Sequence, residues 1–173
     1  MIPQPLHPAV VHFPIVLVVL FPIAAIVALI VIRRGTDARS AWLPVVALAF
    51  ALAGSAWVAV QTGEGEEEIV EEVVAESAIH EHEEAAELFL PLTFAALMLA
   101  AAGLVSGRVG QIGRPVATLG ALLLVVAGYR VGHSGGELVY EHGAAQAYAA
   151  TSDFGVPEHR RDEGRESKRE ERH

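Results

Sequence analysis

Four long apolar runs, Val10–Ile32, Ala41–Val60, Leu88–Val105 and Val116–Val131, constrain this chain more than any other feature. A bilayer core takes about 20 helical residues. Each run is that long or nearly so, and the last two extend at their ends to about 86–106 and 115–133. Lipid offers backbone amides no partner, so a spanning segment must be a helix or part of a closed barrel. The runs show neither period-2 alternation nor barrel-like repetition, so they predict helices. The expected fold class is all-α: a polytopic membrane protein, a four-transmembrane-helix up-down bundle in a lipid bilayer. Pro14, Pro22, Pro44, Pro91 and Pro115 lie near helix ends or at kinks, which membrane helices tolerate.

The charges agree. Of 173 residues, 53% are hydrophobic and 19% charged, with a net charge of −9. The connection 33–41 carries Arg33, Arg34, Asp37 and Arg39, and 106–114 carries Arg108 and Arg114, whereas 61–90 holds eleven Glu and no Lys or Arg. The positive-inside rule assigns the two basic connections to the cytoplasm. Both termini then fall on the outer side of a bacterial cytoplasmic membrane. The first basic residue is Arg33, so the leading apolar run reads as a retained helix rather than a cleaved signal. Trp42 and Trp57 fall near the two ends of the second span, as interfacial aromatics do. Gly103 and Gly107, spaced as GxxxG, are expected to serve close helix packing.

Between spans two and three, Ile69, Val70, Val73 and Val74 alternate with Glu66, Glu67, Glu71, Glu72 and Glu76 at a helical period, which predicts an amphipathic outer-surface helix over 66–79. A transmembrane domain is expected over 1–150. Residues 151–173 form a charged tail with almost no apolar content, read as disordered or as a lone solvated helix.

The chain has no Cys, which excludes disulfides, thiolate metal sites, iron–sulfur clusters and covalent c-type haem. The acidity, with no basic stripe, excludes nucleic acid as a partner. Eight His remain: His7, His12, His80, His82, His133, His142, His159 and His173. His7 and His12 start span one, His80 and His82 precede span three, and His133 and His142 follow span four. An up-down bundle brings those ends together. Any single one reads as an ordinary interfacial side chain, and His80, His159 and His173 belong there. The set of His7, His12, His82, His133 and His142 reads as a shared metal or cofactor site, because ionisable residues in membrane helices are costly and usually functional.

Neutral imidazole suits haem iron, copper, iron and zinc, and a carboxylate on the second ring nitrogen orients it. Glu64, Glu68, Glu72, Glu83, Glu137 and Glu141 are available for that. The Glu run otherwise reads as a solvated acidic face. HExxH and the Glu-x-x-His pair of di-iron bundles are absent. A haem ligated by two His from facing helices needs no local motif. Gly132-His133-Ser134-Gly135-Gly136 matches the GxSxG of serine hydrolases, but that motif works on a strand-to-helix turn. Here a spanning helix precedes it, and its glycines are expected to end span four.

Pro5-Leu6-His7-Pro8-Ala9-Val10-Val11-His12-Phe13-Pro14-Ile15, Thr62-Gly63-Glu64, His82-Glu83 and Gly135-Gly136-Glu137-Leu138-Val139-Tyr140-Glu141-His142-Gly143 together resemble the bacterial membrane family called domain of unknown function 2231, over about residues 3–145. The resemblance implies a four-helix membrane protein with motif histidines at His7, His12, His82 and His142, and His133 beside the last motif. Some members are joined to cytochrome c-like or Rieske-type modules, which implies electron transfer at the outer face. The expected function is a redox protein rather than a stand-alone enzyme. It would bind b-type haem, or another His-ligated redox metal, through His12 and two or more of His7, His82, His133 and His142. Its partner would be a separate electron-transfer protein or a quinone, and a homo-oligomer is open. The competing reading is a non-redox copper, zinc or iron binding or delivery protein, or a membrane anchor subunit.

Overall fold

A computed structural model describes residues 6–151. The tail at 152–173, with His159 and His173, lies outside the described residues. The chain is all-helical: α1 (His7–Val10), α2 (His12–Arg33), α3 (Ala38–Glu64), α4 (Glu67–Glu71), α5 (Glu76–Ala102), α6 (Arg108–Tyr140) and α7 (Ala144–Thr151). Four helical stretches, His7–Arg33, Ala38–Glu64, Glu76–Ala102 and Arg108–Tyr140, are long and apolar enough to cross a membrane. The protein is thus a four-span membrane protein. In the bundle α2 packs against α3 and α6, and α5 packs against α6 and α3.

The interior is built of small residues. Ala25, Ala49, Ala56, Ala96, Ala100, Ala117 and Ala121 are buried around Phe21, Trp42, Leu52 and Leu124, while Phe50, Met98, Leu119 and Leu123 face outward. Lipid removes the hydrophobic drive that puts large aliphatic residues inside, so close backbone approach decides what is buried.

At one end the basic turns close the bundle. Asp37 caps α3 by accepting from the Ser40 N–H at 2.8 Å, and Gly35 and Gly107 take the positive φ that each turn requires. Trp42 is not interfacial: it is fully buried and its Nε1–H donates to the Ala100 carbonyl at 2.8 Å. Its helical phase places it on one stripe with Val45, Ala49, Leu52 and Ala56. Trp57, by contrast, is exposed. Gly103 and Gly107 do not form a packing motif on one helix, because Gly103 ends α5 and Gly107 starts α6. Of the two, Gly103 makes the close contact: a Cβ there would overlap Trp42 Nε1.

At the other end the helices outrun the apolar segments. At about 1.5 Å per residue, 27 residues reach roughly 40 Å and the 33 of α6 roughly 50 Å, against a hydrocarbon core of about 30 Å. The glycines of GHSGG therefore do not end span four; α6 runs through them to Tyr140. The amphipathic stretch 66–79 is likewise divided. It forms α4, a turn with Ala75 extended, and the first turn of α5. Val74 and Ile79 bury themselves against Ala144 of α7, with Val70 and Leu138 alongside, so this stripe has a partner within the protein.

Candidate functional site

The described histidines divide by helical phase. His7 opens α1, where Pro8 at the first helical positions needs no amide partner. The free amides of Leu6 and His7 donate to the Glu66 carboxylate, the latter at 3.1 Å. A carboxylate at a helix start satisfies orphan donors and meets the positive end of the helix dipole. Glu66 is buried, and it fixes where His7 enters the bundle.

The His7 ring crosses to α3. Its Nδ1 lies 2.8 Å from the Ala59 carbonyl and 3.3 Å from Thr62 Oγ1. A carbonyl only accepts, so Nδ1 carries the proton. In the neutral ring the lone pair is then on Nε2. The ring rests on Gly63, where a Cβ would approach Cε1 to 3.2 Å.

His82 on α5 repeats the arrangement against α6. Its Nδ1 is 3.0 Å from Ser134 Oγ. The Ser134 hydroxyl donates to the helix carbonyls of Arg130 at 3.1 Å and Val131 at 3.2 Å, so its oxygen accepts from the His82 Nδ1–H. The ring rests on Gly135, where a Cβ would come 3.0 Å from Cε1. The two imidazoles meet edge to face, with centroids 6.4 Å apart and planes at 79°.

Both rings line a cavity of about 410 Å³ roofed by α4, the start of α5 and the first residue of α7. Apolar wall comes from Val60, Val70, Ile79 and Leu138, and charge from Glu64, Glu66, Glu67, Glu83 and Glu87. Glu83 beside Glu67 holds the Glu67 carboxyl above its usual range, chiefly by like-charge repulsion, with desolvation and a shared hydrogen bond adding to it. Two adjacent carboxylates favour keeping a proton or attracting a cation.

Except for Glu64, which stays on the cavity wall, the remaining expected site residues lie elsewhere. His12 is exposed on α2. His133 is exposed on α6, packed edge-on to Tyr129 and 3.3 Å from Glu137, and His142 is exposed beyond the end of α6. His80 is exposed beside Glu83 and Glu84. Glu64 accepts from Gln61 at 2.8 Å, while Glu68, Glu72 and Glu141 are exposed. Among the described residues no group of three or more His, Asp or Glu is placed to hold a metal ion together. Sequence reasoning missed Glu66 and the roles of Thr62 and Ser134. A signal was present: toward the histidine end of the bundle α3 and α6 each carry a hydroxyl residue directly before glycine, Thr62-Gly63 and Ser134-Gly135.

Fold and site together define a four-span membrane protein with an imidazole pair at one end of its bundle. The chain belongs to DUF2231, a family described as predicted membrane protein, whose model matches residues 3–147. Neither a curated protein nor a solved structure matches it.

Proposed function

We propose that this protein is a membrane-embedded redox carrier that holds one b-type haem iron between His7 and His82 at the outer face, exchanging electrons with a separate protein or a quinone. One observation carries the reading: both imidazoles have Nδ1 held by a fixed oxygen of the neighbouring helix, which leaves Nε2 as the unspent ring nitrogen of two histidines that line one cavity. That is the tautomer and orientation a metal-binding imidazole needs.

Ligand count favours haem over a bare ion. A porphyrin brings four nitrogens and asks the protein for two, whereas zinc in a protein site takes three or four protein ligands. No group of three is placed for that among the described residues. His12, His133 and His142 drop out of the ligand set on exposure. Orientation rests on Arg33, Arg34, Arg39 and Arg108, which crowd the opposite end. A membrane-impermeant thiol label should modify a Cys placed at exposed Ser77 and spare one at exposed Ser106.

The Glu67–Glu83 pair on the cavity wall favours a second reading, a non-redox site that binds or delivers copper, zinc or iron. Absorption spectra and metal analysis of the purified protein separate the two. The haem reading expects a Soret band, and an α-band on reduction, both lost in a His7→Ala/His82→Ala double variant. A colourless protein with stoichiometric copper or zinc would overturn it in favour of metal handling. Protein without pigment or metal, and unable to take up added haem, would overturn both.

A further inference from the structure

The two imidazole settings correspond residue by residue. His7, Ala59, Thr62 and Gly63 match His82, Val131, Ser134 and Gly135: a ring on a glycine, its Nδ1 at a hydroxyl one position earlier, and that hydroxyl donating to the carbonyl three positions before it. The offset that carries His7 onto His82 also carries the buried face of α2 onto that of α5. Pro14 falls on Phe89, Val18 on Thr93, Phe21 on Ala96, Ala25 on Ala100 and Ala28 on Gly103, all buried. The offset that carries Gly63 onto Gly135 carries Val45, Ala49 and Leu52 of α3 onto Ala117, Ala121 and Leu124 of α6, again all buried.

The histidines set these offsets independently of the core, so agreement along the spans is a second observation. The neighbour relations complete it. α2 touches α3 and α6 while α5 touches α6 and α3, an arrangement unchanged when the two hairpins exchange places. Both hairpins start at the same end, which is the case of parallel repeats about an axis along the membrane normal, with the binding site where the repeats meet.

We propose that residues 7–63 and 82–135 are two copies of one hairpin unit related by a pseudo-two-fold axis, and that His7 and His82 are equivalent ligands of a single centre on that axis, with Thr62 and Ser134 as their positioning residues. The ligand class, a haem iron that both imidazoles would hold, rests on the function proposed above; the pairing rests on the repeat alone. The rings differ in their nearest acceptor: His7 donates mainly to the Ala59 carbonyl, His82 to the Ser134 hydroxyl.

The test uses the full chain in detergent, as wild type, His7→Ala and His82→Ala, titrated with ferric protoporphyrin IX and followed at the Soret band. Loss of affinity by about tenfold or more in each single variant, by factors within about threefold of each other, supports equivalence. Loss in one with full retention in the other overturns it while leaving the haem reading standing. A second measurement needs no porphyrin: nitrogen-15 spectra of histidine-labelled protein. Both rings should show the Nδ1–H tautomer, with Ser134→Ala shifting the His82 signals, Ser134→Thr restoring them, and Thr62→Val shifting those of His7. Different tautomers in the two rings overturn the pairing. Matching tautomers in a protein that takes no porphyrin support the pairing and reject the redox function.

Discussion

The two ends of the bundle use one device for opposite purposes. At the arginine end the Trp42 ring lies on Gly103 and spends its only polar hydrogen on the Ala100 carbonyl. At the histidine end the rings of His7 and His82 lie on Gly63 and Gly135 and spend only one of two nitrogens on a neighbouring helix. An indole with its N–H satisfied has no further polar chemistry, so it closes the bundle. An imidazole held the same way still has a lone pair, so it equips a site. Arg114 adds to the closure by donating from Nε to the Gly103 carbonyl at 2.9 Å. The other end instead encloses a cavity with carboxylates on its wall.

This contrast is broken most forcefully at Trp42. Trp42→Ala leaves a cavity in the sealed end and should cost about 3–5 kcal/mol of stability, read as a lowered unfolding midpoint in detergent. Spectra of the two histidines in the folded fraction should stay as in wild type. If the imidazole tautomers change instead, the ends are coupled and the division fails.

A smaller and opposite pattern is expected at Gly135. Adding a methyl 3.0 Å from His82 Cε1 forces the ring to shift. Gly135→Ala should weaken haem uptake by about tenfold, within the range for loss of ligand-orienting contacts, with a smaller change in unfolding midpoint than Trp42→Ala. Gly63→Ala, at 3.2 Å from His7 Cε1, should act in the same direction and more weakly. An unfolding loss as large as that of Trp42→Ala would make the glycine a packing residue and nothing more.

The roof of the cavity should respond to pH. The folded-state pKa of Glu67 is raised above the ordinary glutamate value of 4.5, first by the neighbouring Glu83 carboxylate. The folded state therefore holds the proton more tightly than the unfolded chain, and stability falls as pH rises through the window above 4.5. Hydrogen exchange of α4 amides should be slower in Glu83→Gln than in wild type at pH 7, and the gap should close near pH 4. A gap independent of pH would mean that Glu83 acts by packing.

The smallest effect belongs to Asp37. Its carboxyl is held below the ordinary aspartate value of 3.8, first by the Ser40 N–H, on the exposed turn before α3. A depressed carboxylate pKa contributes stability that is present above 3.8 and lost as pH falls through the folded value. The unfolding midpoint of Asp37→Ala should lie slightly below wild type at pH 7 and converge with it in acid, once the folded-state carboxyl is protonated.

The spans were legible because lipid leaves a long apolar run no alternative to a helix. The helix ends were not, since α3, α5 and α6 continue through the Glu-rich and Gly-rich segments beyond the bilayer core. Five candidate histidines share one end, but helical phase selects among them. Ser134 accepts from His82 on the interior side of α6, and His133, one position earlier, is turned out to Tyr129 and Glu137. Such phase is readable only once the buried stripe of each helix is known. For Trp42 it was readable in advance: Trp42, Val45, Ala49, Leu52 and Ala56 recur at helical spacing. Proximity to a span end was the weaker cue.

Low-temperature electron paramagnetic resonance of the chain loaded with ferric haem reads the proposed ligation at the iron itself. Ligation by His7 and His82 predicts one low-spin iron per protein with two imidazole nitrogens, converted to high spin when either histidine becomes Ala. A low-spin signal that survives replacement of both, or the absence of any stoichiometric haem signal, would contradict it.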